Sequence, residues 1–389
     1  MSNFRIGRRE VGDGMPTYFI ADIAANHDGS LERALRLIRL AKQAGADAAK
    51  FQHFRASKIV SDVGFRALGS HLAHQARWRK SVFAVYEEAS LPWEWTADLK
   101  NCCDEEGINF LSTPYDFEAV NMLDSYVPAF KVGSGDITWI EMLEFVARKR
   151  KPMIMSTGAS DLLDVKRAVS TVQVINPWLT LLQCNTNYTG TADCFNHIHL
   201  NVLRTYRAMF PDIALGLSDH TPGHATVLGA VALGARIIEK HFTDVVTREG
   251  PDHAFSMTPE SWKVMVERTR ELERALGSSE KFVTANENQT VILQRRCLRA
   301  ARNLRAGERI ERSDIAALRP APCDGILPYE IDRVIGRRVL CAVAKGEHLR
   351  WSLLAETLAL RGSDERRALQ AAALDGPKSA RHRDGGRVV

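Results

Sequence analysis

Long apolar segments are missing from this chain of 389 residues. No uninterrupted apolar run approaches the roughly eighteen residues that a membrane-spanning helix needs. The polar residues 1–9 also lack the apolar stretch of a secretory signal. We therefore expect a cytoplasmic protein that does not bind a membrane.

Cysteine pairs at a metal-binding or redox spacing are also lacking. The seven cysteines are an odd number and none belongs to a C-x-x-C motif, which argues against a disulfide framework and a structural zinc site. The net charge is only +5, and +3 of it lies in residues 361–389, where seven Lys and Arg face four Asp and Glu. The remainder carries +2, which gives no indication of nucleic-acid binding.

What the chain does contain is a regular alternation of short apolar runs with stretches long enough for a helix. Eight strands alternating with helices over about 250 residues are typical of a (β/α)8 TIM barrel, an α/β fold. An open doubly wound sheet is the alternative, but no Gly-x-Gly-x-x-Gly turn follows the first run. The eight predicted strands lie at residues 18–25, 46–54, 109–114, 129–135, 152–158, 179–185, 216–221 and 236–242.

The pattern changes after the helix predicted for residues 259–276, where the apolar runs become shorter. The insertion at residues 55–92, rich in Arg, His and Lys, is expected as an elaborated loop on the catalytic face of the barrel. We predict a TIM-barrel domain over residues 1–277, a linker over 278–294, a small β-rich domain over 295–360 and a disordered tail over 361–389.

Two neighbouring predicted strands each end in a histidine. Period-two alternation puts Ser218 and His220 on one face of the seventh strand, and Glu239 and His241 on one face of the eighth. Adjacent parallel strands lie about 4.8 Å apart, so the two imidazoles could share one divalent metal ion. The alternative is that each histidine is an unrelated polar residue at a strand end.

Polar side chains also follow the other predicted strands. Two of them are cations, Lys50 and Lys131, and the hydroxyls of Thr113, Ser134 and Ser156 accompany them. Because a buried unpaired charge is costly, this set predicts an anionic ligand that carries a phosphate and a carboxylate. Taken singly, each lysine could instead pair with a neighbouring carboxylate.

Short motifs occur in order along the whole chain. In the predicted barrel they are IADIAANHDG (20–29), GADAAKFQ (45–52), STP (112–114), KVGSG (131–135), STG (156–158), GLSDHT (216–221), EKHF (239–242) and GPD (250–252). In the second domain they are RRCL (295–298), LRAGE (304–308), RP (319–320) and GILP (325–328). Over roughly residues 15–355 the chain thus resembles the sialic acid synthase family, whose members end in an antifreeze-like (SAF) domain.

The resemblance implies an enzyme that condenses phosphoenolpyruvate with an N-acylated hexosamine and releases phosphate by C–O cleavage. It implies that His220 and His241 bind a divalent cation, typically Mn²⁺ and otherwise Mg²⁺ or Co²⁺, which polarises the open-chain aldehyde. The residues implied to hold phosphoenolpyruvate are Lys50, Thr113, Lys131, Ser134, Ser156 and Ser218. Those implied to face the sugar are Gln52, Asp136, Tyr188 and Asp252, and those implied in catalysis are Asp22, Lys50, Asp136 and Tyr188.

The resemblance further implies a homodimer in which each C-terminal domain covers the partner's barrel, so that Arg319 contacts substrate bound there. Aspartate stands at positions 22 and 136, where the family usually has glutamate. This departure keeps a second hypothesis open, a non-catalytic sugar-binding protein on the same scaffold. The basic insertion over residues 55–79 keeps open a third, a phosphosugar synthase that makes an eight-carbon acid.

Overall fold

The computed structural model describes residues 3–69, 75, 78–188 and 191–356. The chain divides into two compact units, Met1–Gly277 and Ser278–Val389. Among the described residues, no helix combines the length and the apolar character needed to cross a membrane.

The first unit begins with an antiparallel hairpin of β1 (Phe4–Ile6) and β2 (Arg9–Val11). Its side chains Ile6 and Val11 are fully buried and belong to the same apolar cluster as the first residue of the next strand, Tyr18. The hairpin therefore packs at the amino-terminal end of the strands that follow.

Eight parallel strands then close into a barrel, which confirms the predicted TIM-barrel fold. They follow one another around the barrel in chain order, and the last pairs with the first to close it. The strands are β3 (Tyr18–Asp22), β4 (Ala48–His53), β5 (Asn109–Pro114), β6 (Phe130–Val132), β7 (Met153–Ser156), β8 (Leu179–Cys184), β9 (Ala214–Asp219) and β10 (Ile237–His241).

Helices connect the strands. In the described residues between β4 and β5, which hold the predicted insertion, three short helices precede the one that packs on the barrel. The helices of this unit are α1 (Leu31–Gln43), α2 (Ala56–Ile59), α3 (Asp62–Ala67), α4 (Val82–Ala89), α5 (Thr96–Glu106), α6 (Phe117–Leu123), α7 (Ile140–Ala147), α8 (Leu162–Ile175), α9 (Val202–Met209), α10 (Ala225–Ala232) and α11 (Pro259–Leu276).

Helix α1 illustrates how local sequence sets these elements. The Ser30 hydroxyl accepts a hydrogen bond from the Arg33 N–H, satisfying one of the unpaired donors of the first turn. Just beyond its end, Gly45 has a φ of +94°, a left-handed conformation that favours glycine. Leu37 and Ile38 are fully buried against the barrel strands.

Alternation along each strand separates two cores. On β3, Phe19 and Ala21 point outward to the cluster shared with the helices, whereas Tyr18 and Ile20 point into the barrel. Continuing the same alternation brings Asp22 inward at the carboxyl end of the strand. The interior is therefore apolar at one end and polar at the other.

The second unit has its own small core. Strands β11 (Cys297–Ala300) and β12 (Ile315–Leu318) pair antiparallel, and buried apolar residues from several loops pack with them. The segment predicted as a linker holds a 3-10 turn, Ala285–Glu287, and helix α12 (Asn288–Gln294), and a short helix α13 (Ile331–Val334) comes later. The tail predicted to be disordered, 361–389, lies outside the described residues.

Candidate active site

The inward-facing residues at the carboxyl ends of the barrel strands form one buried polar cluster. The strand register sets Asp22 opposite Lys50, His241 opposite Asp22, and Glu239 opposite Ser218. The members are no more than 7% exposed, and they are Asp22, Lys50, Thr113, Lys131, Ser156, Ser218, His220, Glu239 and His241. All but Glu239 are residues that the sequence predicts for the site.

Lys50 is held between a carboxylate and a hydroxyl. Its Nζ lies 2.7 Å from Oδ2 of Asp22 and donates a hydrogen bond to Oγ1 of Thr113 at 3.3 Å. Burial lowers the pKa of this ammonium, but the charges of Asp22 and Glu239 outweigh burial and the pKa lies above its ordinary value. Lys50 therefore carries a positive charge in the interior of the barrel.

The second lysine is also paired with a carboxylate. Lys131 Nζ lies 3.5 Å from Oε1 of Glu239 and donates to the carbonyl oxygen of Val132 at 3.0 Å. The same Glu239 oxygen accepts a hydrogen bond from Ser218 Oγ at 3.1 Å. Burial lowers the pKa of Lys131, and the nearby charge of Lys50 lowers it too, whereas Glu239 opposes both. The two lysines and two carboxylates thus balance one another's charge.

The two histidines face each other across the ends of β9 and β10, with ring centroids 5.5 Å apart. The carbonyl oxygen of Asn185 can only accept, so Nδ1 of His220 donates to it at 2.9 Å and Nε2 keeps its lone pair. Burial lowers the pKa of both imidazoles, most strongly that of His241, which also lies near His220 and Lys50. Both rings are thus neutral at physiological pH, the form that binds a metal ion.

Four buried polar atoms of this cluster have no hydrogen-bond partner within the part of the chain that the structure describes. An unsatisfied buried polar atom costs about 1–3 kcal/mol, so their concentration at one place indicates a missing ligand. The atoms are Asp22 Oδ1, Ser156 Oγ, Glu239 Oε2 and His241 Nδ1.

This donor set fits a divalent cation with two protein ligands. In the described ranges no group of three or more His, Cys, Asp or Glu is arranged to hold a metal ion. His220 and His241 would therefore be the two protein ligands of the cation. Asp22 is close to the pair, with Oδ2 3.6 Å from Nε2 of His241. Imidazole nitrogens suit a borderline cation such as Zn²⁺, and a carboxylate close to them also suits a harder cation such as Mn²⁺.

A cavity of about 130 Å³ adjoins His241 and is also lined by Gln52, Tyr188 and Asp252, three residues predicted to face a sugar. The ring of Tyr188 lies 4.4 Å from that of His220 and 6.3 Å from that of His241. Asp252 accepts a hydrogen bond from the Ala25 N–H at 3.1 Å. Burial raises the pKa of Asp252 to about 7, and the negative charge of Asp22 contributes to this rise.

Ser134 and Asp136 belong to a 3-10 turn that follows β6. The Ser134 hydroxyl accepts a hydrogen bond from the Gly158 N–H at 3.0 Å, so it fixes the turn after β7 as well as facing the cluster. Burial raises the pKa of Asp136 to about 6, although Lys131 lowers it. Asp136 does not line the cavity beside His241.

Arg319 is the one predicted site residue that belongs to the second unit. It directly follows β12 and precedes Pro320 in a cis peptide bond. Its contact with substrate in a partner subunit stays a prediction.

Sequence reasoning missed several residues of the site. Glu239 and Cys184 both lie on inward positions that alternation indicates, between or beside predicted site residues, so a signal for them existed. The Cys184 thiol hydrogen-bonds with Ser134 and Ser218, and burial raises its pKa to about 11. Tyr86 and Tyr115 also line the cavity, but no periodicity in the sequence could assign them to it.

Comparison with known proteins agrees with this geometry. A model of the NeuB family matches residues 37–281, and a model of the SAF domain matches residues 295–355. The chain is 35% identical over 357 residues to the N,N'-diacetyllegionaminic acid synthase of Legionella pneumophila, covering 90% of this chain and 98% of that one. It is 33% identical over 340 residues to the N-acetylneuraminate-9-phosphate synthase of Homo sapiens, covering 87% and 93%.

Among solved structures, the chain is similar to the spore coat polysaccharide biosynthesis protein SpsE of Bacillus subtilis. The TM-score is 0.60 at 31% sequence identity, and the match covers 92% of this chain and all of that one. Both the barrel and the small second domain therefore have counterparts in known proteins.

Proposed function

Because this chain belongs to the NeuB family, we propose that it is a nonulosonic acid synthase. It condenses phosphoenolpyruvate with the open-chain aldehyde of an N-acylated hexosamine and releases phosphate by C–O cleavage. The observation that carries this proposal is one buried cluster that combines two lysines, several hydroxyls and a neutral histidine pair beside a cavity of about 130 Å³. Its relatives include synthases of diacetyllegionaminic acid and N-acetylneuraminate 9-phosphate.

Phosphoenolpyruvate binds, on this proposal, to the donors at the ends of β4 to β9. Lys50 and Lys131 supply charge, and the hydroxyls supply short hydrogen-bond donors of the kind that phosphate and carboxylate oxygens accept. The unpartnered Ser156 Oγ is a donor of this kind. The full set is Lys50, Thr113, Lys131, Ser134, Ser156 and Ser218.

A divalent cation, Mn²⁺ or alternatively Mg²⁺ or Co²⁺, would be held by His220 and His241. When bound, it supplies Lewis-acid polarisation of the acceptor's aldehyde carbonyl. Electrostatics support this pairing of substrate and cation. Since the lysines are already neutralised by Asp22 and Glu239, a multiply charged anion entering the cluster would leave net negative charge, and a cation offsets it.

The residues of the chain then have the following roles. The methylene carbon of phosphoenolpyruvate bonds to the aldehyde carbon, and the oxygen of a water bonds to the carbon that carries the phosphate. Asp22, paired with Lys50 at 2.7 Å, accepts the proton of that water at its unpartnered Oδ1 and passes it to the new sugar hydroxyl oxygen. The bond between carbon and the phosphate oxygen then breaks, and phosphate leaves with the proton of the added hydroxyl.

The acceptor is proposed to lie in the cavity beside His241. Gln52 and Asp252 offer hydrogen bonds to its hydroxyl and amide groups, and Tyr188, which also lines the cavity, packs its ring 4.4 Å from that of His220. Asp136 contributes a carboxyl from the turn after β6, at the edge of the lysine cluster.

The active species is proposed to be a cytoplasmic homodimer. Each C-terminal unit would cover the partner's barrel, and Arg319 would contact the substrate bound there.

The proposal is tested by acceptor-dependent phosphate release. Purified chain is incubated with phosphoenolpyruvate, Mn²⁺ and a panel of N-acylated hexosamines that includes diacetamido sugars, with arabinose 5-phosphate for comparison. Phosphate release and a new keto acid with at least one hexosamine support the proposal. Turnover with arabinose 5-phosphate alone indicates the eight-carbon acid synthase, and no turnover with any acceptor contradicts synthase activity.

A further inference from the structure

The cavity beside His241 joins the histidine pair to the insertion after β4. Two groups of residues line it. One is the polar group proposed to hold the reacting end of the acceptor. The other group is mostly aromatic. It comprises Phe54, which follows β4, Tyr115, which follows β5, and four residues of the insertion, Trp78, Val85, Tyr86 and Ala89, the last three of which belong to helix α4.

The aromatic members of the second group form a continuous wall. We define the aromatic wall as Phe54, Trp78, Tyr86 and Tyr115. The ring of Phe54 lies 5.4 Å from that of Tyr86 and 5.8 Å from that of Tyr115, and Tyr86 lies 6.4 Å from Trp78. Such mutually packed rings present a rigid apolar surface to anything inside the cavity.

The aromatic wall offers no positive charge to a ligand. No Lys or Arg is among the described residues that line the cavity. Burial raises the pKa of both Tyr86 and Tyr115, so their hydroxyls are neutral. The other ionisable side chains that line the cavity are Tyr188, His241 and Asp252, and none of them is a lysine or an arginine. Away from the histidine pair, where the divalent cation is proposed to bind, a phosphate placed against the aromatic wall would lose its water and gain no cation in return.

Three cations of the insertion, Arg55, Lys58 and Lys80, are paired with carboxylates. The guanidinium of Arg55 stacks over the Trp93 ring at 4.0 Å and pairs with Glu118, and Lys58 lies 3.8 Å from the same carboxylate. Lys80 pairs with Glu88 at 2.6 Å. Along the described part of the insertion these basic residues therefore do not form the second anion site that a phosphorylated acceptor would need.

From this geometry we infer the class of acceptor: an unphosphorylated amino sugar whose end remote from the aldehyde carries apolar groups, such as a methyl or a second acetamido group, that pack against the aromatic wall. The inference rests on the proposed function and narrows it. Methyl and acetamido groups lose little on leaving water and gain contact with the rings, whereas a phosphate dianion faces neutral rings and Asp252.

Three acceptors test the inference in the wild-type protein with phosphoenolpyruvate and Mn²⁺. They are N-acetylmannosamine, N-acetylmannosamine 6-phosphate and a 2,4-diacetamido-2,4,6-trideoxyhexose of the same ring configuration. We expect kcat/KM for the trideoxy sugar to exceed that for the 6-phosphate by at least ten-fold. Equal or higher kcat/KM with the 6-phosphate overturns the inference but leaves the synthase activity standing. If no acceptor turns over, the synthase proposal fails, and calorimetric binding of the same three sugars decides the inference.

A charge placed on α4 tests the reason for this preference. Val85 lines the cavity and is half-buried, so in Val85→Lys the ammonium can reach the ligand. We expect the ratio of kcat/KM for the 6-phosphate to that for the trideoxy sugar to rise at least ten-fold, with the KM for phosphoenolpyruvate unchanged. Val85→Met, which adds length without charge, should leave the ratio within two-fold of the wild type.

Ala89→Lys, one helical turn further along α4, provides an independent position if Val85→Lys does not fold. An unchanged ratio in a folded lysine variant contradicts the inference, because the remote end of the acceptor would then not lie against this helix.

Discussion

Asp22 and Lys50 form a buried ion pair on adjacent strands, with Oδ2 and Nζ 2.7 Å apart and the two residues directly opposite in the register. The pair ties the proposed proton acceptor to a proposed phosphoenolpyruvate ligand. Asp22 uses one oxygen for Lys50, and its other oxygen is the one without a partner. Oδ2 of Asp22 is thus held by Lys50, whereas Oδ1 is available to accept a proton.

Asp22→Asn should lower kcat by at least about 100-fold, the range expected for loss of a general base. It should also destabilise the fold by about 3 kcal/mol, because Lys50 is left buried without its counter-charge. Asp22→Glu keeps the charge and should retain most of the activity. Initial rates of phosphate release and urea denaturation measure the two effects.

Asp244→Asn is the matched control for that stability loss. It breaks another largely buried ion pair, Arg33 with Asp244 at 2.6 Å, whose atoms do not line the cavity. The unfolding free energy of Asp244→Asn should fall while its kcat changes little.

The outcome that contradicts the role of Asp22 concerns Asp22→Glu. If the wild-type protein is inactive and Asp22→Glu gains activity, the chain is a non-catalytic relative and the assignment of Asp22 is wrong.

Removal of the histidine pair should remove cation binding. The wild-type protein, freed of metal by a chelator, should bind about one Mn²⁺ per chain, seen as loss of the free-ion signal in electron paramagnetic resonance. Because we propose only two protein ligands, His220 and His241, we expect His220→Ala to weaken this binding at least ten-fold. Chelator should abolish phosphate release, and added Mn²⁺ should restore it.

The control for cation binding is His53→Asn, a change at a buried histidine that bonds Ser112 and Thr96 and takes no part in the pair. It should retain wild-type Mn²⁺ affinity. Unchanged affinity in His220→Ala would refute the assignment of this residue as a ligand.

Burial gives Asp252 a specific signature in the pH dependence of stability. Its folded-state pKa of about 7 lies above the ordinary value of 3.8, so between these values the folded state binds the proton more tightly than the unfolded state. The contribution of Asp252 to the free energy of unfolding should therefore be most favourable below about pH 4, and it should be lost as the pH rises through 7. Asp252→Asn should remove the decline.

Denaturation of the metal-free protein at pH 5, 6.5 and 8 measures this effect. Asp252→Asn should be more stable than the wild type at pH 8, on the order of 1 kcal/mol or more, and the gap should narrow at pH 5. The exposed Asp332→Asn should show no such dependence. A gap that stays constant with pH would rule out the titration of Asp252 as its cause.

Arg319 should act on the partner's active site, which subunit mixing can detect. Arg319→Ala and His220→Ala homodimers should each be inactive or nearly so. When equal amounts of the two variants reassociate, half of the dimers are mixed, and each mixed dimer has one site with an intact barrel and an intact Arg319. Phosphate release should therefore return to roughly a quarter of the wild-type rate. No recovery after verified subunit exchange would show that Arg319 serves its own barrel or neither.

Much of this site follows from strand periodicity alone. Alternation is a local property, so the inward positions of Lys50, Lys131 and His241 follow once the strands are recognised. The pairing of Lys131 with Glu239 does not follow, because it joins β6 to β10, which are not neighbours in the barrel. The sequence therefore predicted two lysines that bind an anionic ligand, whereas in the structure each lysine is already paired with a carboxylate.

The aromatic wall lies beyond the reach of sequence reasoning for a different reason. The insertion lacks the strand periodicity of the barrel, and its placement depends on contacts such as Phe54 with Tyr86, 32 positions apart in sequence. Long-range packing of this kind has no local signature. We infer that the aromatic wall selects the acceptor, so specificity would depend on the segment whose structure is least predictable from the sequence.

The fate of the oxygen that bridges carbon and phosphorus in phosphoenolpyruvate tests the central claim most directly. The protein is given phosphoenolpyruvate labelled with ¹⁸O at that position, Mn²⁺ and the preferred hexosamine, and the released phosphate and the keto acid are analysed by mass spectrometry. C–O cleavage predicts that the label leaves with phosphate and that the new keto oxygen comes from water. Label retained in the sugar acid, or phosphate release without a condensation product, would contradict the account.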